Sequence, residues 1–101
     1  MFSLVDSELI EGEAEGTEEE DYAAIQRAIN SGAWNFPGSY GRAMMTAIEG
    51  GICLLGHSAH ADAYGNTVPG RGDVQPGTKG SLDFVTERRG PEWAERMAAI
   101  E

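Results

Sequence analysis

A chain of 101 residues supports one domain, and at this size folding hides only about two thirds of the unfolded surface, so the core has little to spare. Its single cysteine, Cys53, excludes an intramolecular disulfide and any multi-thiolate zinc site. No stretch approaches the roughly 20 apolar residues of a membrane span. The first residues lack the basic region and apolar run of an export signal, so the expectation is a soluble protein of the cytoplasm.

The net charge of -10 is unevenly placed. Residues 1–21 hold nine acids and no Lys or Arg, and residues 22–101 hold eight acids against seven bases. This composition predicts a flexible acidic arm over 1–16 and a single small domain over 17–101 that is nearly neutral from residue 22 onward. The sign disfavours binding of nucleic acid through the arm. It suits attraction to a basic protein surface. Phe2, Leu4, Val5, Leu9 and Ile10 interrupt the acids and suggest a short strand or docking motif.

Thr17 to Glu20 fits a capping box, with acids in the first turn where the helix dipole favours them. A first helix is expected over 18–31, with Tyr22, Ile25 and Ile29 on one face. Gly32 suits a left-handed stop, Pro37-Gly38 a turn, and Ser39 the cap of a second helix over 39–49. Tyr40, Met44, Ala47 and Ile48 form its apolar face, Met45 widens it, and Gly50-Gly51 ends it. The two helices form a hairpin whose elbow carries Trp34 and Phe36 as an apolar plug. The connector is too long for a DNA-reading helix-turn-helix, and Arg42 is the second helix's one base-reading side chain.

Ile52 to Leu55 is a short apolar run, a buried strand or a packed turn, with Cys53 as a small buried hydrophobe. Residues 56–80 hold six glycines and two prolines and suit a long loop or short strands. Tyr64 to Pro69 could pair with Ser81 to Val85 as a hairpin. A last helix starts at Pro91 and aligns Trp93, Met97 and Ile100.

Few constellations suggest chemistry. His57, His60 and Asp62 have residue types that bind metal, but no helix fixes their spacing, and no metal is expected. Gly72 to Lys79 resembles a phosphate loop only loosely, because Thr78 precedes Lys79 and Pro76 removes an amide donor. What remains is a glycine-rich loop in which Arg71 and Lys79 could hold an anion or an acidic partner. Arg71-Gly72-Asp73 also spells an adhesion tripeptide, read as coincidence. Neither a nucleophile elbow nor a catalytic carboxylate pair is present. No enzyme and no cofactor are expected.

The runs Asp62 to Arg71, Val74 to Ser81 and Gly38 to Glu49 resemble small uncharacterised proteins of phages infecting actinobacteria, a likeness over roughly residues 22–85. The resemblance implies no catalytic residues. It implies a setting: a small non-structural phage protein in an infected bacterial cell, acting by binding a host or phage protein.

The expected fold is α+β and mostly α: a helical hairpin, a glycine-rich loop or short β-ribbon, and a C-terminal helix. The expected function is non-enzymatic binding and modulation of another protein. Glu18, Glu19, Glu20 and Asp21 would give electrostatic attraction, and Trp34 and Phe36 aromatic anchoring. Trp93 would join the anchors if exposed and the core if buried. The alternatives are a virion or assembly component forming symmetric oligomers, a nucleic-acid mimic, or a small-ligand sponge.

Overall fold

The computed structural model describes residues 6, 9–10, 12, 16–35 and 38–101. Helix α1 spans Glu18–Asn30 and α2 spans Gly38–Glu49, with a 3-10 turn at Ala33–Asn35 between them. Strands β1 (His60–Ala61) and β2 (Thr67–Val68) form a short hairpin, and a second 3-10 turn covers Arg71–Asp73. Helices α3 (Leu82–Arg89) and α4 (Pro91–Ala98) complete the described fold. The result is a small α+β domain, mostly helical, with one two-stranded antiparallel sheet.

Helix α1 begins as its sequence dictates. The Thr17 hydroxyl accepts from the Glu20 amide at 3.1 Å, and Glu20 Oε1 accepts from the Thr17 amide at 2.9 Å. Two otherwise orphaned donors are thereby satisfied. The helix ends where Gly32 adopts φ +73° and donates to the Ile29 carbonyl. Helix α2 starts at Gly38, so Ser39 lies inside the first turn and not at the cap. It ends through Gly50 and Gly51, which donate to Thr46 and Ile48. Phe36 and Pro37 lie outside the described residues.

The two helices pack as the expected hairpin. Ile25, Ala28 and Ile29 of α1 share one buried cluster with Tyr40, Met44, Ala47 and Ile48 of α2. Cys53, Leu54 and Leu55 fill it from the next segment, and Val85, Trp93, Ala94 and Met97 close it from α3 and α4. The 52–55 segment is neither helix nor strand, so its buried backbone needs other partners. Gln26, fully buried in α1, meets it with Oε1 accepting from Leu54 N at 2.8 Å and Nε2 donating to Leu54 O at 3.0 Å. Leu55 N donates to Gly80 O at 3.0 Å. Cys53 is buried as expected, and desolvation pushes its thiol up to about 12.

The hairpin differs from the sequence expectation. Its strands pair His60 with Val68 and Ala61 with Thr67, so β2 folds back on the residues before it. Ser81 to Val85 is not its partner; from Leu82 that segment is helix α3. The alternation in Leu82-Asp83-Phe84 suggested a strand, but Ser81 Oγ accepts from Phe84 N at 3.2 Å and starts a helix instead. Thr86 to Arg89 then extend it, and Gly90, at φ +92°, ends it ahead of Pro91.

Two of the described residues within 1–16 meet the folded domain. Asp6 is 2% exposed and receives two hydrogen bonds from Arg27, Nε to Oδ2 at 2.8 Å and Nη2 to Oδ1 at 2.6 Å. Ile10 packs against the core cluster. The docking motif proposed around Phe2, Leu4 and Val5 lies outside the described residues.

Candidate functional site

The acids at the start of α1 are mostly committed within the molecule. Glu18 pairs with Arg89 at 2.5 Å, Glu19 with Arg96 at 3.0 Å, and Glu20 serves the capping box. Asp21 is half-buried beside them. The two arginines flank Trp93 on α4, with guanidinium carbons 4.2 Å (Arg89) and 5.9 Å (Arg96) from its ring centre. Tyr22 meets the same ring edge-on at 6.1 Å, and Trp93 Nε1 donates to the Ile52 carbonyl at 2.8 Å. Trp93 therefore belongs to the core. Its neighbours tie α1 to α3 and α4 through exposed ion pairs of small energetic weight.

Arg71 and Lys79 are not brought together as an anion nest. Arg71 turns inward: Nε donates to Leu55 O at 2.8 Å, Nη1 to Ala98 O at 3.3 Å and Nη2 to Asn30 Oδ1 at 3.3 Å. Burial lowers its pKa from the ordinary value, since the charge is partly desolvated. The nearby loop amides are likewise used, Gly70 N by Asp73 Oδ2 and Gly77 N by Ser81 Oγ. Lys79 is exposed at the edge of a different groove. With Arg71 spent on internal acceptors, the adhesion tripeptide is a structural turn.

His57 and His60 do not share a ligand site. His57 Nε2 donates to the Ile100 carbonyl at 3.0 Å, while His60 lies against Gly32, and its buried Nε2 has no hydrogen-bond partner among the described residues. Among those residues, no group of three or more His, Cys, Asp or Glu is arranged to hold a metal.

The surface that stands out was only partly legible. Trp34, half-buried at the elbow, lines a groove with Gly41, Met45, Asp62, Tyr64 and Val68. A second groove of about 330 Å³ is walled by Met45, Ile48, Leu55, Val68, Pro69 and Val74, with Glu49 and Lys79 at its edge. Met45 and Val68 line both grooves. Met45 is 43% exposed and Tyr64 89% exposed.

Tyr64 is held out by a braced turn. Asp62 Oδ1 accepts from the amides of Tyr64 and Asn66, each at 2.9 Å. Asp62 N donates to Asn66 O, Gly65 N donates to Asp62 O, and Gly65 takes φ +82°. Such an aspartate-centred turn restricts the loop before anything binds it. Two signals could have marked this face: Met45 widens the apolar face of α2 beyond Tyr40, Met44, Ala47 and Ile48, and Tyr64 is an aromatic set within turn-forming residues. Of the expected anchors, Trp34 lines this face, Trp93 lies in the core, and Phe36 is outside the described residues.

Comparison with protein-family models, with curated proteins and with solved structures gives no match. The geometry defines a small, mostly helical α+β domain presenting an aromatic on a braced hairpin turn beside two shallow apolar grooves.

Proposed function

We propose that this chain is a non-enzymatic accessory protein that binds another protein and alters what it does, with the Tyr64 face as its contact surface. The observation that carries this is Tyr64 itself, 89% exposed on a turn braced by two hydrogen bonds to Asp62 and set beside exposed Met45. Keeping a large aromatic in water forfeits the stabilisation that burial would give. Restraining it in advance lowers the ordering cost of binding, and tyrosine is a common interface hot spot. The net charge of -10 steers a basic partner from a distance, and Glu18 and Glu19, exposed but paired with Arg89 and Arg96, add to that attraction around a contact centred on Tyr64. The likeness to small phage proteins over residues 22–85 supports an infected bacterial cell as the setting.

The test is capture of partners from an actinobacterial lysate with three immobilised chains: the parent, Tyr64→Ala, and Glu18→Gln with Glu19→Gln. A protein retained by the parent and the double variant but lost with Tyr64→Ala is the expected result. Retention by Tyr64→Ala moves the contact elsewhere, and loss with the double variant alone restores the acids as the contact. If the parent retains nothing specific from host or phage-infected lysate, the binding role is refuted.

A further inference from the structure

We infer that the groove lined by Trp34, Asp62 and Tyr64 is a seat for a cation, and that an arginine side chain of the protein partner fills it. This rests on the assignment of the Tyr64 face as a contact surface and gives the chemistry of what enters it.

The groove, of about 330 Å³, is walled by Trp34, Gly41, Met45, Tyr64 and Val68, and Asp62 is the one charged residue that lines it. Asp62 Oδ1 accepts from the amides of Tyr64 and Asn66, while Oδ2 has no hydrogen-bond partner among the described residues. The chain's seven bases are all described residues, and none of them lines this groove. Arg27, Arg89 and Arg96 pair with Asp6, Glu18 and Glu19, Arg71 turns inward, and Arg88 lies over Phe84. A carboxylate with an idle oxygen beside aromatic and apolar walls suits a cation on an apolar stem. Ring face and carboxylate attract the charge, and Met45 and Val68 can take the stem.

The molecule itself shows which cation fits such a set. Arg89 lies 4.2 Å from the Trp93 ring centre while it donates to Glu18, so one guanidinium serves an aromatic face and a carboxylate together. Arginine suits this role better than lysine, because a planar, weakly hydrated guanidinium stacks on rings and an ammonium holds its water more tightly. Gly41 points to the same groove independently. It lies within α2, takes no positive φ, and a Cβ there would meet nothing within 4 Å among the described residues. Glycine inside a helix is less favourable than alanine, and the described packing gives no reason for it here. The side chain it omits would stand at the groove wall.

The test is two-dimensional NMR of the full chain titrated with n-butylguanidinium and, separately, with N-butylurea, a neutral molecule of like shape. The amides of Met45 and Tyr64 and the indole N–H of Trp34 should shift to saturation with the cation, and the neutral probe should bind at least about fivefold more weakly. Asp62→Asn keeps an acceptor for the two turn amides but loses the charge, and Gly41→Leu narrows the groove. Each should weaken binding of the cation by about fivefold or more. Gly41→Leu should do so while raising the thermal midpoint, which a misfolded variant cannot do. Equal binding of the two probes, absence of saturation, or unchanged affinity in Asp62→Asn overturns the inference. n-Butylammonium bound as tightly as n-butylguanidinium overturns arginine as the occupant. A partner captured through Tyr64 that neither Asp62→Asn nor excess n-butylguanidinium releases refutes the cation seat and leaves the binding role standing. A charge-selective groove on a chain that captures nothing from lysate refutes the protein partner and leaves the chemistry of the groove standing.

Discussion

The side-chain amide of Gln26 completes the backbone of Leu54, accepting from its N–H at 2.8 Å and donating to its C=O at 3.0 Å in a fully buried setting. One side chain on α1 thus does for the 52–55 segment what a neighbouring strand does in a sheet. Its Nε2 also reaches Asn30 Oδ1 at 3.0 Å, which joins it to the set that includes Arg71.

Gln26→Leu should therefore be costly although it replaces a polar residue in the core by an apolar one. It strands the N–H and C=O of Leu54 without water, an expected loss of about 3 kcal/mol. Urea unfolding of parent and variant measures it. A loss below about 0.5 kcal/mol would mean that Leu54 finds other partners.

Gly32 and Gly65 both take positive φ, but their surroundings differ. A Cβ on Gly32 would lie 2.5 Å from His60 Nδ1, whereas one on Gly65 would have nothing within 4 Å. Gly65→Ala should cost only the left-handed backbone penalty, about 1 kcal/mol. Gly32→Ala should cost that plus displacement of the His60 ring, at least about 2 kcal/mol in all. Adding His60→Ala to Gly32→Ala should recover part of the difference, read by thermal or urea unfolding.

Arg71 fastens three parts of the chain at once, through Leu55 O, Ala98 O and Asn30 Oδ1. Arg71→Lys keeps a charge but loses the planar fork, so it is expected to destabilise almost as much as Arg71→Ala, about 2 kcal/mol. Amide hydrogen exchange at the C-terminal residues 98–100 should quicken in both variants. Unchanged protection there would show that the Ala98 contact carries no weight.

The capping box gives a pH dependence with a definite sign. Glu20's pKa is lowered from the ordinary glutamate value, chiefly by the hydrogen bond from the Thr17 backbone and then by the Thr17 side chain. A carboxylate whose folded pKa is depressed contributes stability above its unfolded pKa and loses it as pH falls through the folded one. Helicity of α1 should therefore weaken in acid below the usual glutamate range. Glu20→Gln, which can still accept from Thr17, should flatten that part of the acid profile followed by circular dichroism.

Sequence alone determined the local events of this fold. Thr17 and Glu20, Gly32, Gly50-Gly51 and Pro91 set helix ends through capping and backbone preference, which act within a few residues and so can be read from neighbours in the chain. The apolar spacing of Ile25, Ile29, Met44 and Ile48 likewise announced the hairpin. Tertiary structure decided the rest. Leu82 to Val85 alternates like a strand, yet its cap made it a helix. Arg71, Gln26 and Glu18 are polar side chains whose roles depend on partners 16 to 71 residues away, and no local pattern specifies such a distance. The same holds for the candidate site. Met45 on α2 and Tyr64 on the hairpin turn line one groove although 19 positions separate them, and their exposure is what the completed core leaves uncovered.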